Sequence, residues 1–142
     1  MNPPSLTDYL ASLDEQTGQD TRVLTQIMRR ISGDEPKLWN AGTLGFDTYQ
    51  YKYDSGREGE GLVIGFYPRK GKTTIYLMDG TARYSELLTK LGKYTTTGYC
   101  LYVKQLSDIE LPVLEQILQQ SYDFIKEKSK DGPIREILWK AA

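Results

Sequence analysis

The chain has 142 residues, 18 basic and 19 acidic side chains, a net charge of −1, a single cysteine and no histidine. A domain of this length buries about two-thirds of its unfolded surface and needs no metal or disulfide to hold it. The missing histidine excludes Ser-His-Asp and Cys-His catalysis and His-ligated zinc or iron within one chain, and a lone cysteine excludes an internal disulfide and Cys-ligated clusters.

Near-neutral charge supplies no global field for nucleic acid. The opening Met1-Asn2-Pro3-Pro4-Ser5 has neither the basic nor the apolar region of a secretory leader. No apolar run approaches the ~20 residues of a membrane span. A soluble, cytoplasmic protein is expected, without nucleic-acid or membrane partners.

Ser5-Leu6-Thr7-Asp8 has the form of a helix start, with Ser5 as cap, and a short helix is expected to about Leu13. A second helix is expected from about Thr17 to Ile31, because Val23, Ile27 and Ile31 recur every four residues beside Leu24 and Met28. Gly33 suits its C-terminal cap, and Pro36 stops continuation. From Leu44 the period changes, and Tyr49, Tyr51 and Tyr53 alternate with polar residues at strand spacing. After the loop Asp54–Glu60, Leu62–Tyr67 reads as a second strand. Pro68–Lys72 reads as a tight basic turn and Thr73–Met78 as a third strand, which completes an antiparallel meander.

Tyr84, Leu87, Leu88 and Leu91 have helical spacing, closed by Gly92. Tyr99–Lys104 reads as a fourth strand, parallel to the third if both join one sheet. Ser107-Asp108-Ile109-Glu110 has the pattern of a capping box. It opens a helix with Leu111, Leu114, Ile117, Leu118, Tyr122 and Ile125 on one face and Pro112 tolerated in the first turn. The order ααβββαβα predicts an α+β fold: a two-layer sandwich whose mainly antiparallel four-stranded sheet is covered by helices. Residues 1–130 form one domain, and residues 131–142 form a short amphipathic helical tail. Ile134, Ile137, Leu138 and Trp139 of that tail dock on the same chain or on a second copy, so the protein is a monomer or a homodimer.

Several of these segments resemble the YdhG-like family of bacterial domains of unknown function. They are Leu38–Phe46, Tyr51–Gly59, Gly65–Lys70, Tyr76–Met78, Gly92-Lys93 and Gly98–Tyr102 followed by the last helix. The likeness runs in order from about Tyr9 to Lys128. It implies a small α+β sandwich with no established enzyme activity. Some relatives are described as frataxin-like iron chaperones, which implies weak iron binding on carboxylates as an alternative function.

Four sets of residues stand out. Following strand direction, Arg69, Lys70, Lys72, Lys93, Thr95, Thr96, Thr97, Trp39 and Asn40 gather at one sheet edge, where they could hold a small anion. The same residues also read as an ordinary solvated turn. Tyr49, Tyr51 and Tyr53 share one strand face, and Tyr67, Tyr76 and Tyr102 share another if the registers cooperate; such faces bind a planar ligand or a protein partner, or simply pack under helices. Asp8, Asp14, Glu15, Asp20, Asp34 and Glu35 supply oxygen ligands of the type a hard cation accepts, or a solvated helix face. Cys100 reads as a small buried hydrophobe with no partner to activate it. The expected function is a non-enzymatic binding module for a small anion or a protein partner, with no cofactor. Its ligand-binding residues are expected to be Trp39, Asn40, Arg69, Lys70, Lys93, Thr96, Tyr51 and Tyr76.

Overall fold

A computed structural model describes residues 5–39 and 42–138. Helix α1 (Leu6–Ala11) starts where the Ser5 hydroxyl accepts the Asp8 N–H at 3.1 Å. Helix α2 (Glu15–Ser32) is capped by the Asp14 carboxylate on the Thr17 N–H, and ends at Gly33 with φ +70°. Strands β1 (Lys37–Trp39), β2 (Thr43–Lys52), β3 (Glu58–Tyr67) and β4 (Thr73–Leu77) follow. A 3-10 turn at Thr81–Tyr84 then leads into the single turn of α3 (Ser85–Leu88). Strands β5 (Thr95–Thr97) and β6 (Cys100–Val103) and helix α4 (Leu111–Ser129) complete the order.

The class is α+β, as the hydrophobic periods predict. Among the described residues the strands form one open antiparallel sheet of six, in the order β1-β2-β3-β4-β6-β5. Helices α2 and α4 pack on each other and against β2 and β3. Cross-strand neighbours Phe46 and Ile64, Ile64 and Leu77, Phe66 and Ile75, and Ile75 and Leu101 carry one fully buried apolar band. Leu24, Met28, Leu114, Ile117, Leu118 and Ile125 of the two long helices are fully buried with it, so the expected helix stripes are the faces in use.

The sheet has six strands, not four. β1 and β5 are three residues each, too short for period-two alternation to show. The missed β5 reverses the chain once more, so β6 runs antiparallel to β4, not parallel to it. The helix expected from Tyr84 to Leu91 is a 3-10 turn and one α-helical turn. The capping box does not form: Leu106–Asp108 is a 3-10 turn, and α4 starts at Leu111 behind Glu110, which makes no side-chain cap. Residues 131–137 of the tail form no helix, and a 3-10 turn is reached only at Leu138. Ile134 joins the edge of β2 as a parallel bridge to Tyr51, with Ile134 and Leu138 buried on the same chain. Trp139 lies outside the described residues.

Candidate functional site

The strand registers bring one set of chain segments to one end of the sheet. Thr43 begins β2 there, Tyr67 ends β3, Thr73 begins β4, Val103 ends β6 and Thr95 begins β5. A hollow of about 410 Å³ opens between them, lined by Lys72, Lys93, Tyr94, Thr95, Tyr102, Lys104 and Asp108. Lys72 leaves the tight turn after β3, where its N–H donates to the Arg69 carbonyl at 3.1 Å, and its ammonium sits 4.5 Å above the Tyr102 ring. Lys104 follows the last residue of β6.

Lys93 is placed by its backbone. Gly92 pairs with Ile109, the Lys93 N–H donates to the Asp108 carbonyl at 3.2 Å, and the Glu110 N–H donates to the Leu91 carbonyl at 2.7 Å. Gly92 has φ +123°, and a Cβ there would stand 2.4 Å from the Asp108 carbonyl oxygen. Only glycine lets the two segments close this tightly. Among the described residues, none of Lys72, Lys93 and Lys104 forms an ion pair. The Asp108 carboxylate instead accepts the Gln105 amide at 3.3 Å. Three lysines thus line one concavity together with Tyr94, Thr95 and Tyr102. That arrangement attracts a carboxylate or phosphate and offers it neutral donors.

No family model, curated protein or solved structure matches the chain. No helix among the described residues is long and apolar enough to cross a membrane.

The other residues singled out from the sequence divide among separate places. Arg69 and Lys70 line a second hollow of about 190 Å³ together with Asp14 and Asp20, and Lys104 lines both hollows. The charge of Arg69 and Lys70 is therefore met from the start of α2, and Arg69 lies 5.3 Å from the Tyr67 ring. The Asp14 carboxyl is held below its ordinary value by the Thr17 hydroxyl and N–H, with Lys70 adding a smaller pull. Trp39 and Tyr76 belong to a third hollow of about 250 Å³, with Thr43, Gly61, Leu62, Met78 and Tyr99. Tyr67, Tyr76 and Tyr102 do share a face, because Thr74 pairs with both Tyr67 and Tyr102 and stands two residues from Tyr76. Cys100 pairs with Tyr76 on that face, half-buried, and burial pushes its thiol up.

Tyr51 stacks on Tyr53 at 4.9 Å and covers Gly59, away from the hollow of Tyr76. Thr96 is exposed in the middle of β5. Asn40 lies outside the described residues. Of the acidic residues in and after the first two helices, Asp14, Asp20, Asp34 and Glu35 have structural partners. Asp20 accepts the Leu106 N–H at 3.1 Å and the Gln16 amide at 3.0 Å, and Glu35 pairs with Arg29 at 2.9 Å. Asp34 accepts the Asp47 N–H at 3.2 Å. Among the described residues no three carboxylate or thiol groups converge as a metal site. Lys104 escaped the sequence reading because a parallel β6 would put it at the opposite end. The signal that finds it is the run Thr95-Thr96-Thr97 before Gly98-Tyr99, a β-forming segment followed by a turn.

Proposed function

We propose that this chain is a non-enzymatic binding module of YdhG-like type that takes an anionic group, carboxylate or phosphate, into the lysine-lined hollow between the β3–β4 turn and the β5–β6 hairpin. The observation that carries this reading is that Lys72, Lys93 and Lys104 line one hollow against a single carboxylate, Asp108, and that none of the three is in an ion pair among the described residues. Like charges held together repel, and a bound anion relieves that repulsion while drawing hydrogen bonds from all three ammoniums. A cytoplasmic setting suits the half-buried Cys100, which stays reduced there. The iron-chaperone alternative has no comparable observation behind it: Asp14, Asp20, Asp34 and Glu35 cap a helix, accept backbone N–H groups or pair with arginine, and no metal-holding cluster stands among the described residues.

Calorimetric and thermal-shift titrations with citrate and pyrophosphate test the reading. An anion at 100 times its Kd stabilises the fold by about 2.7 kcal/mol, a shift of several degrees. The double variant Lys93→Ala/Lys104→Ala is expected to lose the shift at least tenfold in affinity. Arg69→Ala, which alters a different hollow, is expected to keep it. Absence of heat and of any Tm shift with both anions at 10 mM, on the order of ten thousand times a micromolar Kd, would overturn the proposal.

A further inference from the structure

The two sides of the sheet are finished differently, although β1 as well as β5 stands last in the order. On the β2 side, β1 pairs with the lower part of the strand, the Asp34 carboxylate accepts the Asp47 N–H, and Ile134 closes the upper part. There the Lys52 N–H donates to the Ile134 carbonyl at 2.9 Å and the Ile134 N–H donates to the Gln50 carbonyl at 2.8 Å. On the other side β5 is last in the order, and Thr95, Thr96 and Thr97 are all exposed. An edge strand turns alternate N–H and C=O groups outward as a template for another strand. Of the devices that blunt such an edge, Thr95-Thr96-Thr97 has shortness, but no proline, charged residue or bulge. Threonine is moreover a strong strand former. The nearest lysines stand off the strand, in the hollow at its start. Thr95 is both the first residue of β5 and part of the wall of that hollow.

Resting on the anion-binding reading above, we infer that the bearer of the anion is an extended acidic polypeptide segment that adds to β5 as a seventh strand. Its backbone pairs with the exposed edge, and its carboxylate side chains enter the hollow of Lys72, Lys93 and Lys104. Charge complementarity selects this occupant. A second copy of the chain pairing β5 to β5 would bring a second lysine trio to the same edge, whereas an acidic strand neutralises the first. Backbone pairing supplies affinity, and side-chain pockets on alternate residues supply selectivity.

The test uses the intact chain and a fluorescein-labelled Glu-Val-Glu-Val-Glu-Val hexapeptide with blocked ends, read by anisotropy, with free glutarate as the small-anion comparison. The hexapeptide is expected to bind at least tenfold more tightly than glutarate. A version N-methylated at alternate residues keeps every carboxylate and loses the outward hydrogen bonds, so it is expected to bind at least tenfold more weakly than its parent. Thr96→Pro, with far-UV circular dichroism confirming its fold, is expected to weaken the hexapeptide and leave glutarate unchanged. Equal binding of the parent and N-methylated peptides would overturn strand addition while leaving the anion site standing. Binding of neither the hexapeptide nor glutarate would sink both. A concentration-dependent dimer in sedimentation that Thr96→Pro disperses would assign the edge to a second copy instead and reject the acidic partner.

Discussion

Asp47 interrupts β2 with φ +63°, a left-handed conformation that costs a non-glycine residue on the order of 1–3 kcal/mol. Its neighbours hold it there. Its carboxylate accepts the Tyr122 hydroxyl at 2.9 Å and pairs with Lys126 at 3.0 Å. Burial works to raise this carboxyl, but Lys126, the Thr48 N–H and Tyr122 outweigh it and hold it below its ordinary value. Burial first, and Asp47 second, push the Tyr122 hydroxyl up to about 12. A carboxyl depressed in the folded state contributes stability above its unfolded pKa, about 3.9, and that contribution is lost as pH falls through the folded value. Asp47→Asn tolerates the left-handed backbone but loses the charge. It is expected to destabilise by ~1 kcal/mol at pH 7 in urea denaturation, with the gap to the parent closing as pH falls below about 4. A gap that stays constant across that range would mean the charge contributes nothing. Thr21 is the opposite case, a hydroxyl 1 % exposed in α2 with no hydrogen-bond partner among the described residues. An unpaired buried hydroxyl costs about 1–3 kcal/mol. Thr21→Val keeps the shape and is expected to raise the urea midpoint by the equivalent of ~1 kcal/mol, and a lowered midpoint would refute the assignment.

The long helices were legible because their packing stripes repeat many times within one segment. Val23, Leu24, Ile27 and Met28, and Leu114, Ile117 and Leu118, lie where a period of 3.6 puts them, and all are buried or packed against the core. The segment from Thr81 to Glu110 was not legible, because its shape is set by partners distant in the chain. The end of β4 is joined to α4 through the buried Asp79, whose carboxylate accepts the Tyr84 and Ser121 hydroxyls and whose pKa burial raises. That anchor holds Tyr84 at the start of α3, and after one turn the chain continues to Leu91 through 3-10-type bonds, where local spacing alone predicts a longer helix. The Gly92–Ile109 pairing then unmakes the capping box by drawing Asp108 and Ile109 into a bridge. Gly92→Ala forces a Cβ into the Asp108 carbonyl. It is expected to cost more than ~1 kcal/mol in denaturant unfolding and to weaken citrate binding by displacing Lys93. Unaltered stability together with unaltered citrate affinity would show that this pairing does not position the site.

At the scale of the whole molecule, the chain itself covers the part of β2 that β1 leaves unpaired, while β1 and β5 stand last in the sheet. Ile134→Pro removes the N–H that bonds to the Gln50 carbonyl and disturbs a residue 3 % exposed. It is expected to destabilise by about 1–3 kcal/mol, to speed amide exchange at Lys52, and to promote association through the uncovered β2 edge. Slow exchange at Lys52 in that variant would mean that the tail is not what protects the edge. The residues that line the lysine hollow come from the β3–β4 turn, the approach to β5, the end of β6 and the turn before α4. No single segment carries the site, and its assembly follows from the direction of β6.

The sequence by itself determined the α+β class, the faces of the long helices, the β2–β3–β4 meander and the grouping of Lys72 and Lys93 at one sheet end. Each of these depends on residues close in the chain, whose periodicity and turn chemistry act locally. The tertiary structure alone decided the short strands β1 and β5, the antiparallel course of β6 and the arrival of Lys104 beside Lys93. It also decided the separation of Trp39, Tyr51, Tyr76 and Arg69 into other places. Three-residue strands have too few alternating positions to declare themselves, and they are stable only when a neighbouring strand supplies their hydrogen bonds.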